Sequence, residues 1–250
     1  IQSSSATTVM TVGFVNAGLL SLKQAIGVVF GANIGTTVTG QMVSFKLDGL
    51  AMPAIILGMI GLLLARRAVW QGSARTLLGF GLLFFGMAMM SSELESVSSF
   101  PSFVHIFQMF DCTPQPGQPM PLGKVLGAIG IGTLTTMIVQ SSSATIGLAI
   151  ALANSGLLNF WTAVPIVLGD NIGTTITAIL AALNANRTAR QTAAAHCMFN
   201  VFGTCIMVVL FYVPIRGVPC FLHLVNSVTT GNVFIGENVG RHIAMAHTLF

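Results

Sequence analysis

Residues 1–46 can be laid on residues 139–184 without a gap, and 19 positions are then identical. Gln2-Ser3-Ser4-Ser5-Ala6-Thr7 returns as Gln140-Ser141-Ser142-Ser143-Ala144-Thr145. Gly31-Ala32-Asn33-Ile34-Gly35-Thr36-Thr37 returns as Gly169-Asp170-Asn171-Ile172-Gly173-Thr174-Thr175 at the same offset of 138. A chain that repeats two polar motifs in register builds two copies of one structural unit. Those copies belong in lipid. Charged residues make up 6% of the chain and hydrophobic ones 54%, against about 25% charged in a soluble domain. That deficit excludes a water-soluble globular protein and a disordered one. The net charge of +4 comes from scattered residues with no basic run, which excludes a nucleic-acid binder. Four cysteines are too few for a disulfide framework. Cys197 and Cys205 lie in an apolar stretch and read as small core residues, whereas Cys112 and Cys220 lie in polar segments and could pair.

Apolar windows long enough to cross about 30 Å of hydrocarbon run near 24–45, 50–66, 75–91, 160–183 and 191–214. Residues 122–157 are too long for one span and are interrupted by Gln140-Ser141-Ser142-Ser143, which predicts a hairpin that enters and leaves the membrane on one side. Residues 1–20 form the second arm of the equivalent hairpin. Ile1 opens inside a motif that recurs whole, so the first arm is expected upstream. Arg190, Ala193, His196 and Phe199 return as Arg241, Ala244, His247 and Phe250, so another helix is expected to begin where the chain stops. The reading divides the chain into repeat 1 (1–91), an extracytoplasmic linker (92–121) and repeat 2 (122–250). Three full spans separate the hairpins, so the second copy is inserted upside down. The fold class is thus an all-α integral membrane protein of two inverted-topology repeats, each with a re-entrant hairpin and a broken transmembrane helix. Arg66 to Arg75 reads as a cytoplasmic loop by the positive-inside rule, which also places Lys23, Arg187 and Arg190 inside. Asp48, Glu93, Glu95, Asp111 and Glu237 fall outside, with 98–112 and 217–240 lying along the outer interface.

Unwound backbone in hydrocarbon is tolerated only where it is buried in protein or lines a cavity. Ser hydroxyls and the N–H groups of a helix start are donors suited to an anion. Carbonyls freed near Gly31, Gly35, Gly169 and Gly173, with the side-chain oxygens of Asn33, Thr36, Asn171 and Thr174, are ligands suited to a hard cation such as Na+. Thr133, Thr135, Thr136 and Ser155 read as helix-packing residues. Asp170 is the one acid within a predicted span, and its counterpart is Ala32; it contributes charge to a cation site, carries a proton, or stands at a water-filled vestibule. His196 and His247 suit an interfacial structural role better than catalysis. No metal-ligand spacing, phosphate-binding loop or acid–base partner for the Ser runs is present, so an enzyme is not expected.

With these paired motifs the chain resembles the sodium/phosphate cotransporter family, type II group, bacterial branch. The resemblance implies Na+-coupled symport of inorganic phosphate by alternating access, in a multi-pass protein of the plasma (inner) membrane. Phosphate contacts carry over to Gln2, Ser3, Ser4, Ser5, Gln140, Ser141, Ser142 and Ser143. A sodium site is implied at Gln140, Ser141, Thr174 and Thr177, joined in the full cation-ligand set by Asn33, Thr36, Asp170, Asn171 and Thr175. No cofactor is expected beyond Na+ as coupling ion. The expected partners are phosphate, Na+ and the bilayer, and the oligomeric state stays open, a homodimer included. Two other functions stay open: another oxyanion or a small carboxylate on the same architecture, and a non-transporting, phosphate-sensing membrane scaffold.

Overall fold

The computed structural model describes residues 3–45, 48–97 and 109–250. Its chain is mainly helical: α1 (Ser4–Asn16), α2 (Leu22–Val43), α3 (Asp48–Leu64), α4 (Ala68–Val97), α5 (Leu122–Val139), α6 (Ser142–Asn154), α7 (Phe160–Thr174), α8 (Ile176–Ala182), α9 (Arg187–Phe211), α10 (Cys220–Val228) and α11 (Val239–Leu249). A two-residue antiparallel ribbon, β1 (Pro214–Ile215) with β2 (Val218–Pro219), is the one departure from all-α among the described residues. Among the described residues, five stretches are long and apolar enough to cross a membrane: Leu22–Val43, Ala68–Met90, Leu122–Val139, Phe160–Ala182 and Arg187–Phe211. The apolar part of α3, Gly49–Leu64, falls short of that length although 50–66 was expected to span, and α5, expected as an arm of a hairpin, reaches it.

The sequence duplication recurs in the backbone. Ser3 caps α1 with φ −145° and ψ 105°, and Ser141 caps α6 with φ −143° and ψ 107°. Each Oγ accepts the N–H three residues on, Ala6 or Ala144, as an N-cap serine does. Gly18 and Gly156 then follow these helices in the left-handed region at φ 73° and 76°, where glycine avoids the Cβ penalty.

Contacts at the two ends fix helix directions. Asn186, which caps α9, donates its backbone N–H to Asn16 Oδ1 at 2.7 Å and its Nδ2 to Asn16 O at 3.1 Å, so the start of α9 lies beside the α1–α2 turn. The Arg241 guanidinium sits 5.0 Å from the Phe45 ring, just past the end of α2, while the neighbouring His242 ring lies 6.0 Å from Phe160 at the start of α7. The equivalent helices α2 and α7 therefore run in opposite senses.

Helices α5 and α7 meet backbone to backbone. A Cβ on Gly132 would fall on the Ile166 carbonyl, one on Gly169 on the Ile129 carbonyl, and one on Gly173 2.5 Å from Thr133 O. Small residues permit this approach. Gly31 and Gly35, the first-half counterparts, have nothing within 4 Å of such a Cβ. Gly35→Ala in this chain is therefore expected to shift the melting temperature by less than about 2 °C, because a tolerated glycine-to-alanine change in a helix is neutral to stabilising; a thermal melt checks it.

Several expectations need correction. Residues 68–75 are helical, so the Arg66 to Arg75 loop shrinks to the turn around Ala65–Arg67. Helix α4 continues through Val97, past the apolar window expected to end at 91, because Ser91-Ser92-Glu93-Leu94-Glu95 carries no helix breaker. The part of the linker at 98–108 lies outside the described residues. Cys112 and Cys220 are both free thiols, and Cys205 is exposed where a core residue was expected. Cys112 is buried, its N–H donating to Thr162 Oγ1 at 3.0 Å. Burial pushes its thiol up to about 12; the Thr162 contact opposes this and the nearby Asp111 charge adds to it. Thiolate is scarce at any pH well below that value, so maleimide at pH 8 is expected to label Cys112 at least tenfold more slowly than an exposed cysteine, read by mass spectrometry. In the 217–240 segment, Phe221, Leu222 and Val225 of α10 are buried in the main core.

Candidate functional site

The chain breaks between α5 and α6 at two residues. Gln140 takes the left-handed conformation at φ 57° and donates its N–H to Thr136 O at 2.7 Å, ending α5. Ser141 then returns to extended backbone and starts α6. Ser3 does the same for α1, while Gln2 lies outside the described residues. Ser4 and Ser142 are buried, Ser5, Ser141 and Ser143 half-buried, and Ser3 and Gln140 exposed.

The Gly-x-Asn-Ile-Gly-Thr-Thr motifs behave differently from the unwound segments expected. Helix α2 continues unbroken through Gly31–Thr37, and in the second half only Thr175 separates α7 from α8, with αR angles. The carbonyls near Gly31, Gly35, Gly169 and Gly173 are not set free by unwinding; Gly169 O accepts from Thr133 Oγ1 at 3.0 Å. Threonine explains this. Thr36 donates to Ala32 O, Thr37 to Ile34 O, Thr174 to Asp170 O, Thr175 to Ile172 O and Thr177 to Thr174 O, all at 2.7–3.1 Å. These hydroxyls bond back to carbonyls three or four residues earlier, on the same helix for Thr36, Thr37 and Thr174 and on the preceding helix α7 for Thr175 and Thr177, and need no unwound segment.

The direction of these bonds sorts the two motifs chemically. Each motif threonine spends its one hydroxyl hydrogen on a carbonyl and keeps oxygen lone pairs, which suit a cation. Ser3 and Ser141 accept a backbone N–H and keep their hydroxyl hydrogens, which suit an anion at a helix N-terminus.

In the second half the motifs are joined. Asp170 is fully buried, and its Oδ1 accepts from Thr136 Oγ1 at 2.6 Å. The Thr136 and Thr145 hydroxyl oxygens lie 3.0 Å apart, and Thr145 Oγ1 is 3.2 Å from Ser141 O. Asp170 Oδ2 is buried without a hydrogen-bond partner among the described residues. Thr136, read from sequence as a packing residue, thus ties the acid to the α5–α6 break. Thr145 offered a signal that went unused, since it and Thr7 belong to the duplicated run. Thr136 offered none, since its counterpart would precede Ile1.

In the first half, Ser3, Ser4 and Thr7 share a cavity of about 430 Å³ with Gly31, Gly35 and Thr36. Helices α9 and α11 connect the halves. Asn33 Nδ2 donates to Asn200 Oδ1 at 3.4 Å, and Thr204 of the same helix α9 donates to Leu168 O at 3.3 Å. His247 Nε2 bonds Asn171 Oδ1 at 3.2 Å, and Gln41 Nε2 donates to Thr248 Oγ1 at 2.8 Å. Asn33 and Asn171 are equivalent by the duplication, and each meets a helix bearing the Arg-x-x-Ala-x-x-His-x-x-Phe pattern. His196 and His247, expected at an interface, are buried within the protein.

The profile of a family described as Na+/Pi-cotransporter matches residues 1–92 and 122–227. The chain belongs to the Na+/Pi-cotransporter family. It is a family of transporters, not of enzymes. A Bacillus subtilis (strain 168) protein named only as uncharacterized, YqeW, is 33% identical over 210 residues, covering 83% of this chain and 64% of its own length. The YjbB protein of Salmonella typhimurium, provisionally named for inorganic phosphate export, is 26% identical over 245 residues, covering 98% and 43%. The human sodium-dependent phosphate transport protein 2B is 41% identical over 108 residues, covering 40% and 15%. The chain thus spans less than two thirds of each of these relatives. No solved structure matches it.

Proposed function

We propose that the protein is a secondary active transporter that carries inorganic phosphate with Na+ across the plasma (inner) membrane by alternating access. The observation that carries this reading is the duplicated serine cap at Ser3 and Ser141, each with a hydroxyl hydrogen left to donate, beside threonines that keep only acceptor lone pairs. Phosphate is held by Gln2, Ser3, Ser4 and Ser5 from one repeat and by Gln140, Ser141, Ser142 and Ser143 from the other. Na+ is held among Gln140, Ser141, Asn171, Thr174, Thr175 and Thr177, with Asp170 supplying charge and Asn33 and Thr36 contributing from the first half. The opposite senses of α2 and α7, with the matched caps of α1 and α6, support inverted repeats that rock against each other. The break at Gln140–Ser141 supports a re-entrant hairpin.

The name of the Salmonella relative favours export as a second reading of direction. Both directions are read in one experiment: the full-length protein in proteoliposomes, with ³²P-phosphate flux driven by Na+ gradients of either sense against a K+ control. Ser141→Ala removes a cap worth about 1 kcal/mol together with a phosphate donor. Its Na+-driven flux is expected to fall at least tenfold while circular dichroism stays helical. Flux indifferent to Na+, or unchanged in Ser141→Ala, sinks the reading and turns attention to other oxyanions.

A further inference from the structure

We propose that the groove at the α3–α4 turn binds an anionic phospholipid. Helices α3 and α4 pack tightly along Gly58, Gly61 and Gly81: a Cβ on Gly58 would lie 2.6 Å from Leu78 N, and one on Gly81 2.7 Å from Ile55 N. At the turn the helices flank an open groove of about 600 Å³. Its walls are Leu57, Leu64 and Leu77, and its rim carries Arg66, Arg67 and Trp70. Gln71 fixes this turn: its Nε2 donates to Ala65 O at 3.0 Å and its N–H to Arg67 O at 3.0 Å. Arg66 and Arg67 are exposed, and neither has an acidic partner among the described residues.

Two chemistries thus meet in one groove. Paired guanidinium forks bind a phosphate or phosphodiester, and the start of α4 adds its positive dipole end. The leucine walls accept an acyl chain. Trp70 is 64% exposed, and an indole beside arginines is the side chain found at the border of hydrocarbon and headgroups. A free inorganic anion leaves the leucine walls without a partner, and a zwitterionic lipid brings an ammonium toward two arginines. An anionic phospholipid satisfies both parts, as basic pockets between helices on the cytoplasmic side do. These residues are separate from the serine and threonine motifs, so the proposal stands independently of the transport reading.

The test is lipid retention by the full-length protein in nanodiscs of equal phosphatidylglycerol and phosphatidylcholine, read by native mass spectrometry after release. Wild type is expected to retain phosphatidylglycerol over phosphatidylcholine by about tenfold. In R66Q/R67Q, with both exposed charges removed, the preference falls below about twofold. R66K/R67K keeps the charge without the fork and falls between. Equal retention of both lipids by wild type, or full preference in R66Q/R67Q, overturns the proposal. So does stripping of phosphatidylglycerol by millimolar inorganic phosphate, which makes the free anion the ligand.

Discussion

Asp170→Asn is expected to leave the protein folded and to remove its stabilisation by sodium. Asp170 is fully buried, one Thr136 hydroxyl donates to it, and Oδ2 has no partner among the described residues. A buried carboxylate without a compensating charge costs several kcal/mol, and a cation on Oδ2 relieves that cost. An amide carries no such cost, so the variant's melting temperature without sodium stays at or above that of wild type. A ligand present at a hundred times its Kd stabilises by about 2.7 kcal/mol, which for a domain of this size is roughly 5–10 °C. Melts in NaCl against choline chloride at equal ionic strength read the effect directly. A full sodium shift in Asp170→Asn removes Asp170 from the cation site, even if phosphate transport itself persists.

The second large effect is steric. Gly169→Val places a branched side chain where the Ile129 carbonyl already sits. Neither backbone can yield alone, because α5 and α7 are also close at Gly132 and Gly173 and are tied by the Thr133–Gly169 bond. Forcing such packed helices apart belongs with the severe class of substitutions, about 4 kcal/mol or more. The melting temperature is expected to fall by more than about 10 °C, with the Asp170–Thr136 contact disturbed as well. A near-native melt shows that the α5–α7 seam is looser than described. Gly31→Val is the matched control, since Gly31 occupies the same motif position and a Cβ there meets nothing within 4 Å.

Much of the organisation is legible from residues alone. The duplication gives two units, and the caps at Ser3 and Ser141 agree to 2° in φ and ψ because identical local sequences fold alike. Four of the five expected apolar spans emerge near their places, whereas 50–66 falls short of crossing length and Leu122–Val139, expected as part of a hairpin, reaches it; α4 runs on past residue 91 where no residue stops a helix. The expected unwinding at Gly31 and Gly169 failed for a local reason: threonine satisfies itself on its own helix, so a polar motif need not break one. The pairing suggested for Cys112 and Cys220 failed for a tertiary one, since Cys112 is buried against Thr162.

Sequence by itself thus determined the lipid environment, the duplication, the helix starts and the family, because hydropathy and capping act over a few consecutive residues. Only the tertiary structure decided that Thr136, thirty-four positions from Asp170, is the residue that holds its carboxyl. It likewise decided that Asn171 meets His247 and that Asn33 meets Asn200. The Thr136–Asp170 meeting depends on the glycines that let α5 and α7 close together, and all three depend on a register that is a property of packed helices rather than of either segment alone.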